Sequence, residues 1–278
     1  MQRLRGLGSG ICRGWRLGPD RIDLSESTAS SAPISTTEDV GPATAVVIGA
    51  SGGVGRAICE LLRGDARYAQ VLALGRSGSG EAIDITLDIT DESSIESAAA
   101  QVSDATARSG GALRLAIDAT GFLHGGGFEP EKSWRQLDAV HMAHAFAVNA
   151  IGPALLMKHF LPLLPRSGRA VFASLSAKVG SIGDNRLGGW YSYRASKAAL
   201  NQLVRTAAIE LARRQPLAIC VALHPGTVAT RLSAPFSKSG LEVQTPAASA
   251  ARLLATIDAL SASDSGGFFN HRGEALPW

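Results

Sequence analysis

Tyr193 and Lys197 stand four residues apart in the run Tyr-Arg-Ala-Ser-Lys. Around them Ala195, Leu200, Leu203, Ala207, Ile209 and Leu211 recur at helical spacing. Residues four apart share a helix face, so a phenol and an ammonium can lie side by side. A neighbouring cation favours phenolate and lowers the phenol's pKa. That turns a tyrosine into a usable acid or base near neutral pH. Ser174 and Ser176 stand two apart at the end of an apolar run, so as strand residues they face one side of a sheet. That end is where open α/β sheets bind ligands. A Tyr and a Lys four apart are by themselves most often two surface residues. Their meaning depends on what precedes them in the chain.

What precedes them is a glycine-rich turn. Residues 45–48 are apolar, with Val46, Val47 and Ile48 β-branched, which suits a buried strand. Gly49, Gly52, Gly53 and Gly55 follow, and Ala57, Ile58, Leu61 and Leu62 then recur as in a helix. A strand, a glycine turn and a helix N-terminus form a phosphate cradle, because glycine lets the backbone approach a ligand and the first helical N–H groups are free. The spacing is Gly49-x-x-x-Gly53-x-Gly55, not G-x-G-x-x-G. It also contains Gly49-x-Ser51-x-Gly53, which fits the nucleophile elbow of serine hydrolases with Ser51 as nucleophile and His224 or His271 as base.

The elements around these motifs alternate. Strands are predicted over residues 45–48, 70–74, 83–89, 113–118, 170–176, 217–223 and 267–270. Helices follow the glycine turn and span 95–107, 134–164 (one long helix or two abutting) and 190–213, with Thr90 as a helix start. Alternation of this kind predicts an α/β fold with a doubly wound parallel sheet of about seven strands, helices on both faces, in one domain. At the tip of the second strand stands Arg76 and no acid. An acid there would accept from a ribose 2′-OH; an arginine accommodates a 2′-phosphate, which favours NADP(H) over NAD(H).

Composition sets limits on all this. The 278 residues are 45% apolar and 18% charged with a net charge of +3, so a large core is available and no nucleic-acid partner is indicated. Cys12, Cys59 and Cys220 are odd in number and lack metal spacing, which predicts no disulfide framework, no metal site and a reducing, cytoplasmic setting. No apolar run reaches bilayer length. Residues 1–43 differ from the rest: Arg3, Arg5, Arg13 and Arg16 precede the first acid, and Ser and Thr are dense from 25 to 37. They read as a disordered extension ahead of a domain over 44–278; an organelle transit peptide is the alternative.

Taken in order, the glycine turn, the serine at the end of the fifth strand and the Tyr–Lys pair on the next helix resemble the short-chain dehydrogenase/reductase family, closest to its C-factor-like members. The resemblance covers about residues 44–278 and includes the closing Gly-Phe-Phe-x-x-x-Gly…Pro-Trp. It implies a Rossmann-type fold and a cofactor site at Gly49, Ser51, Gly53, Val54, Gly55, Arg76, Asp88, Ile89, Ala119, Gly121, Tyr193, Lys197, Pro225, Gly226, Val228 and Thr230. Asp88 matches the residue that holds the adenine amino group. Pro225-Gly226 and the residues after it match the segment that holds the carboxamide and pyrophosphate. Two positions depart from the pattern: Ile48 stands where Thr is usual, and Asp118-Ala119-Thr120-Gly121 replaces Asn-Asn-Ala-Gly.

The implied reaction is reversible hydride transfer between a nicotinamide cofactor and a small carbonyl or alcohol. Tyr193 is the acid/base and Lys197 its pKa-lowering and ribose-binding partner. Ser176 hydrogen-bonds the carbonyl, with Ser174 as the alternative, because seventeen residues separate Ser176 from Tyr193, longer than the family spacing. Asn149 completes a proton path. A cofactor-sensing or signalling role is the rival from the same resemblance. The apolar long helices predict a homodimer or homotetramer. Phe122, Leu123, Trp190 and residues 231–243 are candidates for the substrate pocket, and His141, His144 and His159 read as surface or subunit-contact residues.

Overall fold

The computed structural model describes residues 41–76, 82–233 and 243–278. The expectation for the N-terminal extension therefore falls outside the described residues, apart from its last three. Seven parallel strands form one sheet: β1 (Ala43–Ile48), β2 (Tyr68–Gly75), β3 (Ile85–Thr86), β4 (Ala112–Asp118), β5 (Ala170–Leu175), β6 (Ala218–His224) and β7 (Phe268–Asn270). Their spatial order is β3-β2-β1-β4-β5-β6-β7. The chain begins in the middle, winds outward, and crosses back between β1 and β4. That crossing opens a crevice at the C-terminal strand ends. Register brings those ends level: Ile48 pairs with Asp118, Asp118 with Ser174, and Leu175 with Leu223.

Strand alternation divides the core into two layers. Val46, Ile48, Leu113 and Phe172 pack with helices α2 (Glu92–Arg108), α4 (Gly152–Phe160) and α5 (Tyr191–Ala212). Ala45, Val47, Leu115 and Val171 pack with α1 (Gly53–Arg63) and α6 (Pro246–Ala259). Every residue of β5 is buried, as a central parallel strand covered on both faces requires.

Two boundaries differ from the sequence reading in ways that matter. Asp91, not Thr90, caps α2, its side chain accepting from Ser93 N–H. The stretch 134–164 is neither one helix nor two plain ones. A 3-10 turn precedes α3 (Ala139–Phe146), which Asp138 caps through His141 N–H at 2.7 Å. A π-helical turn, Ala147–Ile151, then joins α3 to α4. Such turns insert a residue and re-aim the side chains within them, and Asn149 sits in this one. Gly152 follows because a Cβ there would fall 2.4 Å from Ile89 Cγ1.

The most apolar 18-residue stretch of the composite segment Ala139–Leu163 has a mean hydropathy of 1.3, so by length and composition alone this segment could cross a bilayer, and the expectation that no run reaches that length is corrected to that extent. Its apolarity has another use here. Leu156, Met157 and Phe160 are core residues, and 44% of the most apolar stretch is buried against the rest of the fold.

Candidate active site

The crevice gathers side chains from β4, β5, the π turn and α5. Lys197 is buried, and its Nζ donates to the Leu175 carbonyl at 2.7 Å. Gly121 lies against it: a Cβ there would be 3.9 Å from Lys197 Nζ and 3.8 Å from Asn149 Oδ1. Asn149 is fully buried. Its Oδ1 accepts from Phe122 N–H at 2.7 Å, and its Nδ2 donates to the Phe122 carbonyl at 2.8 Å and to Ser196 Oγ at 3.1 Å. It therefore ties the loop after β4 to the middle of the Tyr–Lys segment.

Tyr193 packs edge-on to Trp190, ring centroids 6.2 Å apart. Burial pushes its phenol up to about 12 and pushes Lys197 down to about 8. The sequence reading expected the neighbouring ammonium to lower Tyr193. Desolvation is the cause of the rise, because a phenolate out of water is penalised, and the ammonium does not offset it. The phenol keeps its proton at neutral pH.

The two serines both turn to the α5 side of the sheet, as their spacing predicts. Ser174 Oγ donates to Asp118 Oδ2 at 2.6 Å, and Ser176 Oγ donates to Asn201 Oδ1 at 2.7 Å. Asn201 was missed in the sequence, although it stands four residues after Lys197 and so shares its helix face.

Glu131 was missed as well, and nothing local announces it. Its side chain is 1% exposed. The carboxylate accepts the Ser192 N–H, at 3.3 and 3.2 Å to its two oxygens, and the Ser192 hydroxyl. Its carbonyl accepts from Trp190 N–H. Trp190 caps α5 with a left-handed φ of 53° and its side chain makes no cap bond to the helix, so Glu131 satisfies the helix start from a distant loop. His141 Nδ1 stands 3.4 Å from the same carboxylate, and its ring stacks on Phe128 at 4.9 Å. His141 is thus buried, which corrects its reading as a surface residue. His159 instead pairs with Glu92 at 3.2 Å, and His144 is exposed. Replacing Glu131 by alanine strands the buried Ser192 donors beside Tyr193. It is expected to cost roughly 3 kcal/mol in urea unfolding; a loss under about 1 kcal/mol would show that the cap carries nothing.

The cradle residues meet the other end of the crevice. Gly49 has φ +81°, and a Cβ would fall 2.9 Å from the Ala119 carbonyl carbon. At Gly55 it would fall 2.3 Å from Gly49 O, and at Gly53 2.9 Å from Thr230 Cγ2. Val54 N–H, with those of Gly53 and Gly55, lies in the first turn of α1, which holds no acid. Ser51 Oγ lies beside Gly75 at the tip of β2, 3.6 Å from where a Cβ would stand. Thr90, through its N–H and then its hydroxyl, holds Asp88 below the usual carboxylate range, with Arg76 adding to the effect. Gly226, at φ +80°, packs against Gln244 and His271, while Ser249 Oγ donates to the Pro225 carbonyl at 2.9 Å and Val228 is buried. These residues fit a dinucleotide: a side-chain-free groove at a helix N-terminus for the pyrophosphate, a cation at the ribose end, and the Tyr–Lys pair at the other.

At the mouth, Leu232 Cδ1 is 3.9 Å from the Gly121 Cβ position, and His124 Nε2 is 3.1 Å from the Arg231 carbonyl. The loops after β4 and β6 therefore meet over the crevice. Residues 234–242 of the expected pocket stretch lie outside the described residues.

Comparison with known proteins identifies the family of this fold. The family model described as short chain dehydrogenase matches residues 43–240. A 1-hydroxy-2-glutathionyl-2-methyl-3-butene dehydrogenase of Rhodococcus sp. is 30% identical over 239 residues, 84% of this chain and 99% of the relative. The C-signal protein of Myxococcus xanthus is 36% identical over 143 residues, 51% of this chain and 81% of that protein. The NADPH-bound carbonyl reductase from chicken fatty liver superposes with a TM-score of 0.74 at 28% identity, covering 86% of this chain and all of that one. A short-chain dehydrogenase/reductase of Burkholderia multivorans with bound NADP gives 0.68 at 25% identity, over 86% of this chain and 100% of that chain. The elbow reading of Ser51 as a hydrolase nucleophile is set aside by this match. The chain belongs to the short-chain dehydrogenase/reductase family of NAD(P)-dependent oxidoreductases.

Proposed function

We propose that the protein is an NADPH-dependent carbonyl reductase in which Tyr193 is the proton donor. The observation that carries this reading is Tyr193 one turn before the buried Lys197 on α5, whose Nζ sits at the end of β5. The reduced nicotinamide supplies the hydride when bound. Tyr193 Oη gives its proton to the carbonyl oxygen as that oxygen gains charge. Lys197, as an ammonium, attracts the phenolate left behind and holds the cofactor ribose. Ser176 supports the developing alkoxide, with Ser174 as the alternative; both hydroxyls donate within the fold, to Asn201 and to Asp118. Asn149 holds the Phe122 loop to α5 and leads a proton path past Lys197. The test is a panel of aldehydes and ketones with NADPH, following loss of reduced-nicotinamide absorbance. No turnover across the panel, with NADPH bound, would favour the signalling reading instead. The C-signal match spans only half of this chain and does not favour it.

The preference for NADPH rests on Arg76, the absence of an acid at the tip of β2, and the NADP(H) carried by similar structures. Arg76→Glu is expected to lower the NADPH-to-NADH ratio of kcat/KM by about tenfold or more, since a guanidinium–phosphate pair becomes a like-charge contact. An unchanged ratio would remove Arg76 from the site. The reading extends to a homodimer or homotetramer paired through Val140, Ile151 and Ile209, large apolar side chains at least half exposed. A monomer in sedimentation would contradict that. A cytoplasmic setting rests on the free, buried Cys59 and Cys220.

A further inference from the structure

The acid at the end of β4 has no part in the reaction as read above. Asp118 is wholly buried. Its Oδ1 accepts from Thr120 N–H at 3.0 Å and from the Thr120 hydroxyl at 2.5 Å, and its Oδ2 accepts from Ser174 at 2.6 Å. Three convergent donors suit an acceptor-only carboxylate. A buried charge is costly unless an opposite charge offsets it, and Lys197 is the cation at the same strand ends. Asp118 pairs across the sheet with Ser174, and the next residue, Leu175, receives Lys197 Nζ on its carbonyl. Gly121, three residues after Asp118, lies against the same Nζ. Burial drives Lys197 toward its neutral form, and the Asp118 charge opposes that.

The other titratable groups around Lys197 do not play this part. Tyr193, one turn earlier, holds its proton. Lys178, on the turn whose Gly180 packs against the Lys197 backbone, is half exposed and 3.6 Å from Asp184. His224 at the end of β6 is held neutral by burial, its value pushed down to about 4. Glu131 serves Ser192 and His141 at the helix start. The related motif has Asn where this chain has Asp118, so the negative charge is a feature of this chain.

We propose that Asp118 is a positioning residue that keeps Lys197 an ammonium inside the core and fixes it against the ends of β4 and β5. This rests on the reading of Tyr193 and Lys197 as the reacting pair. Removing the charge makes Lys197 lose its proton at lower pH. Activity that needs the ammonium then fades at lower pH too.

Asp118→Asn keeps the volume and removes the charge. The alkaline limb of kcat/KM for NADPH-dependent reduction is expected to move to lower pH by at least about half a pH unit. The 13Cε resonance of Lys197, assigned by its loss in Lys197→Met, should titrate lower by a similar amount. The neutral and smaller Asp118→Ser gives the same two readouts if the asparagine variant does not fold. An unmoved Lys197 titration in a folded variant overturns the proposal. That resonance is read without turnover, so the charge link and the reaction fail separately: a Tyr193→Phe protein that still turns over would overturn the reaction alone.

Discussion

Tyr193→Phe is expected to lower turnover by about 10³-fold while NADPH affinity and thermal stability stay near those of the parent protein. The argument rests on what the substitution leaves in place. The ring keeps its edge contact with Trp190, and among the described residues none hydrogen-bonds the phenol oxygen. The cradle at Gly49–Gly55 lies at the other end of the crevice. What disappears is a proton held at neutral pH by burial, on an oxygen one helical turn from a buried ammonium. Losing a general acid removes about two to four orders of magnitude. Steady-state kinetics and NADPH fluorescence titration separate these quantities. A variant that turned over within tenfold of the parent would show that the proton comes from elsewhere.

Gly55→Ala is expected to damage binding and folding together. A Cβ at this position falls 2.3 Å from Gly49 O and 2.9 Å from Gly49 C, both backbone atoms that cannot swing aside. The first turn of α1 must then shift away from β1, and the N–H groups aimed at the pyrophosphate shift with it. A loss of roughly 3 kcal/mol in stability and at least tenfold in NADPH affinity is expected. Gly64→Ala is the control, because its Cβ would meet nothing closer than Leu61 O at 3.5 Å. Equal behaviour of the two variants in melting and titration would contradict the close approach at the turn.

The repeating parts of the fold were legible because burial on both faces leaves a mark in the sequence. β5 reads as an apolar run interrupted only at Ser174 and is buried throughout. The glycine spacing was legible because two of its positions leave no room for a Cβ, and no other residue type solves that. The Tyr–Lys pair was legible through helical spacing together with its place after the glycine turn and the strand-end serines. Three features were not. Glu131 and Ser192 are 61 residues apart, and only tertiary packing joins them. The π turn at Asn149 lies within a uniformly apolar helical pattern, and an inserted residue shifts the phase without changing composition. The value of Tyr193 depends on desolvation by burial, which a sequence motif does not report. His141 illustrates the same limit. An imidazole on an amphipathic helix reads as surface until Phe128 and Glu131 are brought over it.

The most direct measurement follows the hydride itself. NADPH carrying deuterium on the transferring face of the nicotinamide C4 is incubated with a carbonyl substrate found in the panel. The alcohol is then examined by mass spectrometry and NMR. The account predicts one deuterium on the former carbonyl carbon, with the hydroxyl proton drawn from solvent, and no labelled alcohol above background from Tyr193→Phe. Alcohol formed without deuterium at that carbon, or label transferred as readily by the phenylalanine variant, would contradict it.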